Sequence, residues 1–342
     1  MNFPASVSLP TRTRHQSHLC LTMLIPQRVP IGTNALPPNN HKCKSPLNKI
    51  PMRQSVFRII LTVTFTMLIF TAALAEPITN RITVTVRGTG PDIVLIPGLA
   101  SSNAVWDAIA KHLEGRYRLH IIQVAGFAGA PPNANAQGPV VQPTVDAINT
   151  YIKTNQLTAP KVISHSLGGL MALMLASQRP EDASKLLIVD SLPFFSVLNG
   201  VNNVEDAKPR AAAMRDTILA QTQKDYAQSQ TNVLRFMVKS PEGLKTTAAW
   251  AVASDKSVVA RALYELMTID MRPQLPQIKI PVTILYPWDS STGFPQAMVD
   301  NLYQKSFASL PNKKLIRIDN SLHFIMLDQP DQFLKQVDAF LK

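Results

Sequence analysis

Cysteine is scarce in this sequence of 342 residues: Cys20 and Cys43 are its only two, and both lie in the first 75 residues. From residue 76 onward, the absence of cysteine excludes a disulfide framework, a thiol nucleophile and a cysteine metal site. Acidic residues are missing from the first 75 residues, which hold eight of the 34 lysines and arginines. The remainder carries 26 basic and 22 acidic residues and has no basic stripe with interleaved aromatics, so we expect no nucleic-acid partner.

The N-terminal composition predicts two segments that do not belong to the folded domain. Residues 1–51 are rich in Pro, Asn, Thr and Arg and show no sustained periodicity. This composition predicts disorder. Alternatively, because the signal-peptide pattern of residues 52–75 begins at Met52, residues 1–51 would precede the true start of translation at Met52, which would then replace Met1.

Residues 52–75 have the pattern of a secretory signal peptide. A basic start leads into an apolar run from Ile59 to Leu74, and Ala73-Leu74-Ala75 forms an A-x-A cleavage site. Cleavage after Ala75 predicts a periplasmic or secreted protein with no stable membrane span. The alternative is a protein anchored in the membrane by an uncleaved segment, although the run is shorter than the ~20 residues of a typical span.

Strand and helix patterns alternate through the two parts of the chain that we assign to the core, residues 76–190 and 276–342. Strands such as Ile93-Val94-Leu95-Ile96 are apolar throughout, which is typical of parallel strands buried on both faces. The sequence therefore predicts an α/β protein whose mostly parallel sheet is covered by helices on both faces.

Residues 191–275 interrupt this alternation and have helical patterns only. Four helices are predicted, over residues 210–222, 226–238, 243–253 and 257–267. An insertion at this point would form a cap over the carboxyl ends of the strands, where ligands bind in such sheets.

A strand, a tight turn and a helix surround Ser166. The apolar run of Val162 and Ile163 enters the turn, and a long apolar helix follows it. The G-x-S-x-G pattern of a nucleophile elbow is present with Gly168 as its second glycine and Ser164, a small residue, in place of the first. The turn would expose the Ser166 hydroxyl above the sheet as a candidate nucleophile.

A serine nucleophile needs a base, and only four histidines follow residue 75. His112 falls on a helix and His120 on a strand, where packed or surface roles suit both. His165 adjoins Ser166 and is predicted to line the pocket. His323 follows the last strand at the carboxyl edge of the sheet, so it is the predicted general base.

Two aspartates could orient this base. Asp289 comes just after the penultimate strand, and its order and spacing relative to Ser166 and His323 match the Ser…Asp…His arrangement of a serine catalytic triad. We therefore favour Asp289. Asp190, at the end of the preceding strand, is the alternative.

Together these motifs resemble the α/β-hydrolase superfamily, in its serine-nucleophile branch, over nearly the whole chain from Ile82 to Leu341. The resemblance implies an α/β-hydrolase fold with a helical cap inserted between the sixth and seventh strands. It also implies that the backbone N–H groups of Leu99 and Leu167 form the oxyanion hole.

The expected activity is hydrolysis of a carboxylic ester, or a similar small and apolar acyl substrate, through an acyl-enzyme, with no cofactor and no metal. Other reactions of serine triads remain open, namely lactone, amide or carbon–carbon cleavage and acyl transfer. A catalytically silent ligand-binding member of the superfamily is the alternative from outside enzymes.

Overall fold

The computed structural model describes residues 78–342. Both N-terminal predictions, the stretch of residues 1–51 and the signal peptide of residues 52–75, lie outside this range. Within the described residues, no helix combines the length and the apolar character needed to cross a membrane.

Seven strands form one sheet, and six of them are parallel. The strands are β1 (Ile82–Arg87), β2 (Asp92–Ile96), β3 (Arg118–Val124), β4 (Lys161–His165), β5 (Lys185–Val189), β6 (Val282–Trp288) and β7 (Lys313–Asp319). Their order is β1-β3-β2-β4-β5-β6-β7, and only β1 runs antiparallel, against β3. Four consecutive residues of β2, of β4 and of β5 are buried, because helices cover both faces of the sheet. The predicted fold class is confirmed.

Helices connect the strands of the core. They are α1 (Asp107–Leu113), α2 (Val141–Thr154), α3 (Leu167–Gln178), α8 (Gln296–Ser306), α9 (Ile325–Asp328) and α10 (Pro330–Leu341). The apolar face of α1 is buried at Ile109 and Leu113. Trp106, just before α1, is fully buried and stacks on Phe333 of α10, with ring centroids 6.5 Å apart.

The insertion contains four helices: α4 (Val204–Ala220), α5 (Gln223–Leu234), α6 (Pro241–Ala253) and α7 (Lys256–Thr268). They pack as two pairs, α4 with α7 and α5 with α6. The insertion lies between β5 and β6, the fifth and sixth of the described strands. It was expected between the sixth and seventh strands, so its expected position was wrong by one strand. The domain boundaries at residues 190 and 276 stay a prediction.

The insertion makes hydrogen bonds to loops that follow three of the parallel strands. After β3, the Ala128 N–H donates to Ser254 Oγ at 2.8 Å. After β6, Lys239 Nζ pairs with Asp289. After β7, the Phe324 N–H donates to the Met237 carbonyl at 3.2 Å. These loops all lie at the carboxyl end of the sheet, so the insertion adjoins the edge where the candidate site residues are found.

Candidate active site

Ser166 sits at a sharp turn between β4 and α3. Its backbone has φ 53° and ψ −121°, in a region that L-residues rarely occupy, which is characteristic of a nucleophile elbow. The Ser166 N–H donates to the Val189 carbonyl at 3.0 Å and ties the turn to β5. Ser166 is partly exposed, whereas both of its neighbours are buried.

The residues around the elbow have to be small. A Cβ added at Gly168 would lie 2.5 Å from the Ile96 carbonyl oxygen, and one at Gly169 would lie 2.5 Å from Ser191 Cβ. Ser164 is fully buried and its Oγ donates to the Leu187 carbonyl at 3.3 Å. The serine that replaces the first glycine of the motif is thus accommodated because its hydroxyl finds a backbone acceptor on β5.

His323 lies between β7 and α9, and its ring binds Asp190. The His323 Nδ1–H donates to Asp190 Oδ2 at 2.6 Å. A carboxylate only accepts, so this bond places the proton on Nδ1 and leaves Nε2 unprotonated in the neutral ring. Both side chains are largely buried, with 23% of His323 and 14% of Asp190 exposed.

Asp190 is held on its other side by Tyr303 of α8, whose hydroxyl donates to Asp190 Oδ1. Burial, and then the neighbouring Asp190 carboxylate, raise the pKa of Tyr303 well above 10, so its hydroxyl keeps the proton that it donates. Asp190 itself has a positive φ of 44° directly after β5. The carboxylate is therefore fixed by its backbone turn, by Tyr303 and by His323.

Asp289, which the sequence favoured as the partner of His323, binds other groups, and that assignment is corrected. Its Oδ1 accepts from the N–H of Ser291 at 2.9 Å and from the Ser291 hydroxyl. Asp289 thereby caps the short helical turn that follows it. Its Oδ2 accepts from Lys239 of the insertion. Burial opposes the charged form, but the hydrogen bonds from Lys239 and Ser291 outweigh it and hold the pKa of Asp289 below 3.8.

His165 is fully buried and does not line an open pocket, which corrects the expectation from the sequence. Its Nε2–H donates to the backbone carbonyl of His323 at 3.0 Å, and the two rings lie 4.5 Å apart. Burial, and then the neighbouring His323, lower the pKa of His165 well below 6.5. The His165 ring is therefore neutral, and it binds the backbone of His323, the residue whose side chain binds Asp190.

The loop after β2 packs against the elbow. A Cβ added at Gly98 would lie 2.9 Å from His165 Nδ1 and 3.0 Å from Ser166 Cβ, so glycine permits this approach. Leu99 follows Gly98, and Leu167 is the first residue of α3, where an N–H has no acceptor within its own helix. The two predicted oxyanion-hole residues thus flank Ser166 on adjoining segments.

The structure brings the segments of Ser166, His323, Asp190, Leu99 and His165 to one edge of the sheet and leaves Asp289 out of the His323 contact. The structure of residues 78–342 has no hydrogen bond between Ser166 Oγ and the His323 ring. Bonds between a catalytic serine and its histidine are often long before a substrate binds. Within the same residues, no group of three His, Cys, Asp or Glu side chains could hold a metal ion.

The profile of the alpha/beta hydrolase family matches residues 93–336. The chain therefore belongs to this family, and the expectation of a hydrolase is confirmed.

Known proteins are similar to this chain over most of their length, some in sequence and some in structure. The pimeloyl-[acyl-carrier protein] methyl ester esterase of Nitrosomonas europaea is 26% identical over 259 residues, which is 74% of this chain and 96% of the relative. The enol-lactonase from Burkholderia xenovorans LB400 superposes with a TM-score of 0.61 at 18% identity, over 76% of this chain and 96% of its own. A thermophilic esterase from Thermogutta terrifontis gives a TM-score of 0.62 at 15% identity, over 76% and 92%.

Proposed function

We propose that this protein is a serine hydrolase that cleaves a carboxylic ester through Ser166, His323 and Asp190. The observation that carries the proposal is the 2.6 Å hydrogen bond from His323 Nδ1 to Asp190 Oδ2. It supplies the orienting carboxylate that a histidine base needs, on a histidine packed against the neighbour of the elbow serine. Family membership and relatives that are named esterases support the reaction class.

Acylation begins when Ser166 Oγ attacks the carbonyl carbon of the ester. The proton of the hydroxyl passes to His323 Nε2, and the resulting imidazolium is stabilised by Asp190 through the Nδ1–H bond. The carbonyl oxygen becomes an oxyanion that accepts from the N–H groups of Leu99 and Leu167. Each such donor contributes about 3 kcal/mol of transition-state stabilisation. The tetrahedral intermediate then expels the alcohol, which takes the proton from His323.

Deacylation repeats the sequence with water as the nucleophile. His323 Nε2 takes a proton from water, whose oxygen attacks the acyl carbon, and the second tetrahedral intermediate is stabilised by the same two N–H groups. The C–O bond to Ser166 breaks, and His323 returns the proton to Ser166 Oγ. The acid is released, and the enzyme is regenerated without a redox step or a co-reactant other than water.

The proposed substrate is a small ester with an apolar acyl part. The name of the Nitrosomonas europaea relative, a methyl ester esterase, supports a methyl or other short alkyl ester. Partly buried apolar side chains of the insertion, Met237, Leu244 and Trp250, pack on the hydrophobic core, and the residue after His323 is bonded to Met237. Lactones and amides are the rival substrates that a profile across compound classes separates.

Replacement of Ser166 tests the proposal directly. We expect Ser166→Ala to lower kcat for p-nitrophenyl esters by at least about 10⁴-fold and to abolish labelling by a fluorophosphonate. Ser177→Ala is the matched control, because Ser177 lies on the same helix and its hydroxyl donates only to the Met174 carbonyl. A wild-type protein that neither turns over esters, lactones or amides nor reacts with the fluorophosphonate would instead be a ligand-binding member of the family.

We also propose that the protein is exported, on the basis of the signal-peptide pattern that ends at Ala75. Mass spectrometry of the protein purified from its own host is expected to find Glu76 as the first residue. A chain that retains residues 52–75 in the membrane fraction would support the anchored alternative.

A further inference from the structure

The linker between α5 and α6 is bonded to the segment that carries His323. The Phe324 N–H, directly after His323, donates to the Met237 carbonyl at 3.2 Å. Directly before His323, the Leu322 N–H donates to Asp328 Oδ2 at 2.9 Å. The other oxygen of this carboxylate, Oδ1, accepts from the Lys239 N–H, also at 2.9 Å. Both neighbours of His323 are therefore tied to two residues of one short linker.

The side chain of Lys239 fixes the same linker to the core at a third point. Its ammonium pairs with Asp289, of which only 3% is exposed, whereas 38% of Lys239 is exposed. A buried carboxylate that lost this cation would remain charged and underpaired, which is costly. The ion pair therefore favours the position of the linker in which the bonds to Phe324 and Asp328 are made.

We propose that Met237–Lys239 is a clamp through which the helical insertion positions His323, and that Asp289 serves as its anchor and not as the orienting acid. Lys239, Asp328 and Asp289 are positioning residues, since the contacts given above join them to backbone and to each other. Displacement of the insertion would loosen the segment from Leu322 to Phe324 and move the base away from Ser166.

The test compares Lys239→Met with Lys208→Met, using the full folded chain. Lys208 is also a lysine of the insertion, but its ion pair with Glu205 stays within α4. For Lys239→Met we expect amide hydrogen exchange in residues 320–328 to become several-fold faster and kcat for an ester to fall about tenfold, with KM changed less than kcat. Lys208→Met is expected to match the wild type in both measurements, and Lys239→Arg to restore most of the loss.

Asp328→Asn provides a second variant, because an amide offers one acceptor oxygen where the clamp needs two. Faster exchange in residues 320–328 is expected for Asp328→Asn as well. This variant therefore tests the clamp even if Lys239→Met does not fold. Equal exchange and equal kcat in Lys239→Met and Lys208→Met would overturn the clamp. The inference rests on the proposed function only for the kcat measurement: a protein without esterase activity refutes that function, while the exchange measurement still tests the clamp.

Discussion

At the scale of single residues, the site depends on polar side chains that hydrogen-bond to more than one partner. Asp190 uses one oxygen for His323 and the other for Tyr303. A carboxylate with two fixed partners has less freedom to rotate than one with a single partner. Tyr303 is buried and its ring stacks on Tyr286, so its hydroxyl is a positioning group for the acid.

Tyr303→Phe removes this hydrogen bond and keeps the ring. A hydrogen bond to a charged group contributes about 1.5–3 kcal/mol, so we expect kcat for an ester to fall about tenfold or more, with KM nearly unchanged. Tyr286→Phe is the control: its ring stacks on Tyr303 at 4.4 Å, but its hydroxyl donates to Asp300. Steady-state kinetics of both variants decide the matter, and an equal loss in the two would contradict a specific role for Tyr303.

The neutral, buried ring of His165 predicts a pH dependence of stability. Burial lowers its pKa well below 6.5 in the folded protein, whereas a histidine in the unfolded chain binds a proton near 6.5. Its contribution is therefore fully present above about pH 6.5 and is lost as the pH falls below that value, by up to about 1.4 kcal/mol per pH unit.

Urea unfolding between pH 7.5 and pH 5 measures this effect. The amide of His165→Gln can still donate to the His323 carbonyl but takes up no proton. We expect the free energy of unfolding of the wild type to fall more steeply toward pH 5 than that of the variant. Parallel curves for the two proteins would show that His165 does not cause the acid sensitivity.

At the scale of elements, the helices of the insertion begin at side-chain caps. Asn203, Thr222, Ser240 and Asp255 each accept from a backbone N–H two or three residues ahead. Such caps satisfy N–H groups that have no acceptor within the helix. They explain why the helices begin at residues 204, 223, 241 and 256, up to six residues before the starts predicted from the apolar pattern.

Asp255 is the cap with the most contacts. Its Oδ1 accepts from the N–H groups of Ser257 and Val258 at 2.9 and 3.0 Å, and its own N–H donates to the Gly126 carbonyl at 2.8 Å. We expect Asp255→Ala to lower the free energy of unfolding by about 1–2 kcal/mol and Asp255→Asn, which keeps an acceptor, by less. Denaturant unfolding measures both, and equal stability of Asp255→Ala and wild type would contradict the role of the cap.

At the scale of the whole molecule, local patterns were sufficient to predict the strands, the four inserted helices and the elbow around Ser166. Each of these depends on residues close in sequence. The position of His323 was predicted because the carboxyl ends of parallel strands share one edge. Strand alternation also predicted the class of fold, which the sheet of residues 78–342 confirms.

The orienting carboxylate could not be chosen in the same way. Asp190 and Asp289 both follow parallel strands, at the ends of β5 and β6, and both are acceptors of suitable chemistry. The choice depends on contacts between residues far apart in sequence: Tyr303 binds Asp190, and Lys239 of the insertion binds Asp289. No sequence signal marked either partner, so order and spacing favoured Asp289, which does not contact His323 in the structure of residues 78–342.

The central claim is that Asp190 orients His323 in a triad with Ser166. It is tested most directly by kcat/KM for one ester, measured on Asp190→Asn and Asp289→Asn with folding verified by circular dichroism. We expect a loss of about 10⁴-fold for Asp190→Asn, because an amide cannot stabilise the imidazolium, and a loss of about tenfold for Asp289→Asn. A greater loss for Asp289→Asn than for Asp190→Asn would contradict the assignment.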